Sequence, residues 1–128
     1  MITAPPPVLE VYYTPACAPC RLELPAVAEF VQRDGARVRI VIIDKEANAR
    51  SEIRRLSPGL AAGAVVETQA GPQSTLRAAG DGDGILPYAR SLTADGKVCA
   101  TWRGILTLSR ARALMAACKP TSPPSHRS

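Results

Sequence analysis

A strand, a helix and a second strand, read in order over residues 8–44, constrain the fold more than any other feature of this chain. Val8 to Tyr13 is rich in β-branched and aromatic residues and is bounded by prolines, which predicts a strand. Val38 to Asp44 is a β-branched run of the kind found in buried parallel strands. A helix with apolar residues at helical spacing connects them over about 17–33. Two such strands joined by a helix form a βαβ unit with a right-handed crossover.

The remainder of the chain predicts six more elements, which are helices over 49–56, 73–79 and 108–118 and strands over 64–68, 87–92 and 98–102. Asp95-Gly96 is a strong signal for a hairpin turn between the last two strands. Thr107 is a suitable N-cap for the last helix. The resulting order is β-α-β, a variable middle, then β-β-α. It predicts an α/β domain with a central mixed sheet and helices on both faces.

Length and charge exclude several classes of protein. At 128 residues the chain has the size of one domain. We expect a flexible N-terminal segment over 1–7, the domain over 8–118 and a disordered tail over 119–128, which is rich in proline and serine. The net charge is +5, but the arginines are scattered and aromatics are only 4% of residues, which argues against a nucleic-acid partner. No apolar run approaches the roughly 18 residues of a transmembrane helix.

Cys17-Ala18-Pro19-Cys20 is the motif that carries chemistry. Cys17 falls at the predicted start of a helix, where unpaired N–H groups and the helix dipole stabilise a thiolate. Cys20 lies one turn further on, within the helix. This arrangement predicts that Cys17 attacks a substrate disulfide and that Cys20 resolves the mixed disulfide. Pro19 stiffens the turn between them.

Half of a zinc site is the alternative interpretation of this motif. Zinc would need two more ligands at a compatible spacing. The other cysteines, Cys99 and Cys118, are not part of a second paired motif, and the only histidine, His126, lies in the tail. We therefore expect no metal and no cofactor.

Two motifs are similar to those of a known family. Residues 17–25 match the pattern C-x-P-C-R-x-E-x-P of the TlpA/DsbE-type thiol-disulfide reductases of bacteria, which have the thioredoxin fold. Residues 84–88, Gly-Ile-Leu-Pro-Tyr, correspond to the family's cis-proline loop. Over residues 8–118 the chain thus resembles this family, with residues 45–86 forming a longer middle segment than in plain thioredoxin.

The resemblance implies roles for several residues. Pro87 would be cis and lie beside the two sulfurs, and the backbone of Leu86 would pair with an incoming substrate strand. An ordinary proline at the start of a strand is the alternative for Pro87. Pro25 would be the family's helix-kinking proline. Ala18, Pro19 and Glu23 complete the active-site support.

The chain also departs from thioredoxin. Val11 and Ile40 occupy the strand positions where thioredoxin keeps a buried acid and its lysine partner, so the usual proton relay is absent. Glu23 could serve as an acid or base, but we expect a solvent-facing carboxylate paired with an arginine. For Cys99 and Cys118 we expect buried, inert thiols, with a disulfide as the alternative if the protein is exported.

Proline before the second cysteine and the absence of histidine between the cysteines resemble the reducing members of this fold. The resemblance implies protein substrates with disulfides, such as apocytochrome c, a dithiol electron donor and a monomer. A disulfide oxidase or isomerase, or a binding module without turnover, are the alternatives.

Residues 1–7 do not form a secretory signal. We expect either a cytosolic protein or, as the resemblance favours, a periplasmic one whose signal or anchor is missing from this sequence.

Overall fold

A computed structural model describes residues 5–44, 48–60, 64–68 and 70–118. Along these residues the elements are β1 (Val8–Tyr13), α1 (Ala18–Asp34), β2 (Arg37–Ile42), α2 (Ala49–Leu56), β3 (Val65–Glu67), α3 (Pro72–Ala78), β4 (Tyr88–Leu92), β5 (Val98–Arg103) and α4 (Leu108–Ala116). Each element expected from the sequence is present, and its ends differ from the expected ones by at most two residues. The tail over 119–128 and residues 1–4 lie outside the described ranges, so the predictions for both ends stay predictions.

The strands form one mixed sheet in the order β3-β2-β1-β4-β5. β1 pairs in parallel with β2, and β2 in parallel with β3. β4 is antiparallel to both β1 and β5. The expected α/β class with a mixed central sheet is therefore confirmed.

Helices cover the central strand on both sides. On one side Leu9, Val11 and Tyr13 of β1 belong to a core that also contains residues of α1 and α4. On the other side Tyr12 belongs to a smaller cluster with Leu76 of α3. Successive residues of a strand point to opposite faces of a sheet, so both faces of β1 are buried against helices.

Glu10 is a charged residue in the middle of this buried strand. Its side chain accepts hydrogen bonds from Arg90 Nε at 2.8 Å and from the hydroxyl of Tyr12 at 2.8 Å, and Arg39 also donates to it. Burial alone would raise the pKa of Glu10, but these three hydrogen bonds outweigh it and hold the pKa below its ordinary value. The cluster joins β1 to both neighbouring strands and gives Arg90, which has no role in the sequence interpretation, a structural one.

The termini of α1 and α4 follow local capping rules. Gly35 ends α1 in the left-handed conformation, with φ of 63°, and its N–H donates to Val31 O at 3.0 Å. The Thr107 hydroxyl caps α4 by accepting from Arg110 N at 3.1 Å, as the sequence predicts. Leu114 is one of the residues that bury α4 against the core.

Cys99 and Cys118 form a disulfide, with their Cα atoms 5.1 Å apart. The expectation of two inert thiols is therefore wrong. Cys99 lies in β5 at the edge of the sheet, and Cys118 lies just beyond α4, so the cross-link joins the edge strand to the last helix. The two residues are 19 positions apart and meet because α4 folds back beside β5.

Replacing both Cys99 and Cys118 by alanine should lower the free energy of unfolding by about 3 kcal/mol, because the unfolded chain regains the freedom that a cross-link of this span removes. Urea titration of both proteins under oxidising conditions measures the difference. The single variant Cys99→Ala should lose about as much, since it opens the same cross-link. Equal stability of all three proteins would show that the disulfide does not contribute to folding in solution.

Candidate active site

The turn that follows β1 carries the cysteine motif to the end of the sheet. Thr14 begins this turn, and its hydroxyl donates to Asp44 Oδ2, beyond the end of β2, at 2.9 Å. Cys17 N donates to Thr14 O at 3.1 Å, and the Arg21 guanidinium donates to Pro15 O. The turn is thus held both to the neighbouring strand end and to the first turn of α1.

Cys17 and Cys20 are joined in a disulfide, and their Cα atoms are 5.2 Å apart. Cys17 is the N-cap of α1, and its sulfur accepts a hydrogen bond from Cys20 N at 3.2 Å. The two residues differ in exposure, because Cys17 is half-buried whereas Cys20 is 0% exposed. An incoming sulfur can therefore reach Cys17 and not Cys20. The free N–H groups at the helix start favour a negative charge on the reachable sulfur.

Ala18 and Pro19 occupy the first two positions of α1. Proline is well tolerated there because the N–H groups of the first turn have no helical partner. Because Pro19 has no N–H to donate, the Cys17 sulfur accepts its hydrogen bond from the N–H of Cys20. Pro25 lies inside α1 and is exposed, where it leaves the carbonyl of Arg21 without its usual helical donor.

The Leu86–Pro87 peptide bond is cis and directly precedes β4. In the register of β1 and β4, Tyr12 pairs with Tyr88, so Pro87 lies opposite Tyr13, at the sheet end where the cysteine motif begins. Pro87 O accepts a hydrogen bond from Gly104 N at 3.0 Å. Leu86 packs against the same core cluster as Cys17. Over the part of the chain that the structure describes, no hydrogen bond engages the backbone of Leu86.

Glu23 is buried, with 2% of its surface exposed. Its Oε1 accepts from Leu106 N at 2.8 Å, and its Oε2 has no hydrogen-bond partner among the described residues. The expectation of a solvent-facing carboxylate paired with arginine is therefore wrong. Residue 23 falls on the same face of α1 as Cys20 and Val27, and this face turns towards the sheet. Burial raises the pKa of Glu23 to about 7, and the hydrogen bond from Leu106 only partly opposes this.

Three exposed apolar side chains lie next to these residues in the sequence. They are Leu22 beside Glu23, Ile85 beside Leu86 and Ile105 beside Leu106, and each is 46% to 69% exposed. Leu106 contributes to the site through its backbone N–H, for which the sequence holds no signal. Two of the exposed residues have a weak signal in the sequence, because Leu22 lies within the cysteine motif and Ile85 within the motif of residues 84–88. Ile105 lies in neither motif.

None of the helices described is long and apolar enough to cross a membrane. Among the same residues, no group of three or more histidine, cysteine or acidic side chains is placed to hold a metal ion.

No protein-family model and no curated protein sequence matches the chain, but many solved structures do. A thioredoxin-related protein from Neisseria meningitidis serogroup B superimposes with a TM-score of 0.67 at 19% identity, covering 90% of this chain and 85% of that one. The fold is thioredoxin-like. A thiol:disulfide interchange protein of the thioredoxin family from Chlorobium tepidum TLS gives 0.65 at 14% identity, covering 87% and 78%. StoA from Bacillus subtilis gives 0.62 at 14% identity, covering 88% and 84%.

These likenesses confirm the thioredoxin-like fold expected from the resemblance. That residues 45–86 form an insertion stays a prediction. The roles that the sequence assigns to the site residues, including Cys17 and Cys20, stay predictions.

The burial of Glu23 should make stability depend on pH. Its pKa rises from an ordinary 4.5 to about 7, so the folded protein keeps a proton that the unfolded chain releases. The stability linked to this proton is complete below about pH 4.5 and is lost as the pH rises through about 7, a change of about 3 kcal/mol. Glu23→Gln should remove this loss, because the amide stays neutral and can still accept from Leu106 N.

Urea titrations of both proteins at several pH values test this. The variant should gain stability over the native protein as the pH rises from about 4.5 to about 8. Glu29→Gln is the matched control, since Glu29 lies on the same helix but is only half-buried and is paired with Arg33 at 2.9 Å. Parallel pH profiles of Glu23→Gln and the native protein would show that burial does not raise the pKa of Glu23.

Proposed function

We propose that the chain is a thiol-disulfide oxidoreductase that reduces protein disulfides, with Cys17 as the nucleophile and Cys20 as the resolving cysteine. The observation that carries this proposal is the unequal exposure of two joined cysteines at a helix start, one half-buried and one fully buried. A structural disulfide needs no such asymmetry. A dithiol that turns over needs one reachable sulfur and one protected sulfur, so that attack always begins at the same atom.

The reaction balances as a transfer of two electrons and two protons. The Cys17 thiolate attacks one sulfur of the substrate disulfide, and the other substrate sulfur leaves as a thiolate and takes up a proton. The Cys20 thiol then loses its proton and attacks the Cys17 sulfur. This step forms the Cys17–Cys20 disulfide and releases the second substrate thiol. An external dithiol donor restores the reduced form.

Glu23 is suited to receive the proton of Cys20. It lies three residues further along α1, on the same buried face. Its pKa of about 7 lies close to the pKa range of a buried or activated thiol, which makes proton exchange between the two groups easy. Ala18, Pro19 and Pro25 shape the first turns of α1 around these two groups.

The reducing direction has two supports. First, a disulfide is a weak oxidant when its thiolates are poorly stabilised, and the described residues between the cysteines offer no cationic side chain. Second, an ionised Glu23 near Cys20 would disfavour a second negative charge there. Arg21, the nearest arginine in sequence, directs its guanidinium to the backbone oxygen of Pro15.

The proposed substrates are disulfide-bonded proteins that present an extended segment to the free backbone of Leu86, beside Pro87. One solved neighbour is described as a thiol:disulfide interchange protein, which agrees with this class of reaction. Apocytochrome c is a candidate client, and we propose a monomer that needs no cofactor. The Cys99–Cys118 cross-link supports an oxidising compartment such as the periplasm, because structural disulfides persist there.

The reduction potential of the Cys17–Cys20 pair tests the direction. Equilibration with glutathione, followed by alkylation and mass mapping of each cysteine, follows this pair separately from Cys99–Cys118. We expect a value near or below about −270 mV, the potential of thioredoxin. A value near about −120 mV would instead assign the chain to the dithiol oxidases. A pair that never exchanges with glutathione would leave only a binding module.

Variants of each cysteine test the two roles. Reduced Cys20→Ser, incubated with disulfide-bonded insulin, should accumulate a covalent complex through Cys17, because serine cannot resolve it. Reduced Cys17→Ser should form no such complex, since Cys20 is 0% exposed. Non-reducing electrophoresis with mass mapping of the linked peptides reads out both results. Complexes of equal yield in the two variants would contradict the assigned roles.

A further inference from the structure

The loop between α3 and β4 carries Leu86 and Pro87, and several of its residues restrict the backbone very little. Three of its residues are glycines, and Gly80 and Gly84 adopt φ values of 96° and 64°. A chain this rich in glycine loses much conformational freedom when it becomes ordered. If the backbone of Leu86 binds a substrate strand, something outside the loop has to order it.

Arg103 at the end of β5 supplies that contact. Its Nη2 pairs with Asp81 Oδ1 at 2.9 Å, and its Nη1 pairs with Asp83 Oδ2 at 3.0 Å. Asp81 is 0% exposed, whereas Asp83 lies at the surface. One guanidinium therefore bridges a buried and an exposed carboxylate of the same loop, a geometry for which the planar fork of arginine is suited.

Asp81 transmits this contact along the loop. Its N–H donates to Leu76 O at the end of α3 at 2.9 Å, and its carbonyl accepts from Gly84 N at 3.0 Å. The loop is thus closed on itself around the buried carboxylate that Arg103 holds. Gly84 is two residues before Leu86.

The residues after Arg103 reach the other parts of the site. Gly104 N donates to Pro87 O, and Leu106 N donates to Glu23. Arg103 also faces Tyr88 in the register of β4 and β5. Residues 84–86 are therefore held on both sides by the end of β5. Arg103 holds Asp81 before them, and Gly104 holds Pro87 after them.

We propose that Arg103 is a positioning residue that orders the loop of residues 81–86 for substrate binding and acts through Asp81. The proposal rests on the proposed function, because it says which residue sets the affinity of the same site for protein substrates. Preorganisation lowers the entropic cost of binding and leaves the reactivity of the sulfurs unchanged. Arg103 therefore governs the KM for a substrate that pairs with the loop, and neither the potential of Cys17–Cys20 nor the rate with a small disulfide.

The test compares two disulfides as substrates of Arg103→Gln. With insulin, which can present an extended segment, we expect KM to rise about tenfold, equivalent to about 1.4 kcal/mol, with kcat little changed. With 5,5′-dithiobis(2-nitrobenzoate), which has no backbone to pair, we expect the native rate. The potential of the cysteine pair should also stay at its native value. Arg103→Lys should restore part of the affinity, because a single ammonium can still pair with Asp81.

Two further variants keep the result interpretable. Arg103→Gln leaves the buried Asp81 charge unpaired, so the double variant Arg103→Gln/Asp81→Asn, with a neutral pair, serves if the single variant is unstable. Arg112→Gln is the matched control. It removes an arginine that pairs with Asp34 at 2.8 Å and is 50% exposed, close to the 45% of Arg103, but lies on α4 away from the loop.

The possible outcomes separate the inference from the proposed function. Equal losses with insulin and the small disulfide, or a shifted potential, would overturn the positioning role, as would an unchanged KM for insulin. If the native protein reduces neither substrate, the proposed function fails first. Hydrogen exchange then still reports on the loop, where Arg103→Gln should speed exchange at residues 82–86 relative to Arg112→Gln.

Discussion

The burial of β1 on both faces is the constraint on which the rest of the structure depends. All six of its residues are buried, so helices have to cover the sheet on either side. At the carboxyl end of β1 the chain turns directly into α1. The cysteine motif sits at that turn, with one sulfur at the helix start and the other inside the first turn. The asymmetry between the sulfurs therefore follows from the way a central parallel strand connects to its helix.

A charged residue in such a strand needs full compensation, and Glu10 receives it from Arg90, Arg39 and Tyr12. Glu23 is a second buried glutamate, but its hydrogen-bond partners differ. It has one backbone N–H as its partner and no cation among the described residues, so its carboxyl holds a proton at much higher pH. Two buried glutamates thus have opposite pKa shifts, and the difference lies in their partners. The first serves to join strands, and the second is suited to exchange protons.

Much of the fold could be predicted from the sequence because it depends on local patterns. Each of three elements is determined by residues within it: the strand by the β-branched run at 38–44, the hairpin by Asp95-Gly96 and the start of α4 by Thr107. The features that the sequence did not predict depend on contacts between distant segments. Cys99 meets Cys118 only because α4 returns to the sheet edge. The orientation of Glu23 depends on which face of α1 the sheet covers. Its partner is a backbone N–H that any residue except proline would supply at position 106.

The second disulfide places a potential substrate in the same chain as the proposed reductant. Cys99 lies five residues before Gly104, the residue that contacts Pro87. In an extended strand that separation is about 16 Å. The reachable sulfur of Cys17 and the Cys99–Cys118 bond thus lie towards opposite ends of β5, and the sheet between them keeps the two apart. Cys17 of one molecule could then attack the Cys99–Cys118 bond only in a second molecule. At low concentration such encounters are rare, so the cross-link persists while Cys17 still reacts with other proteins.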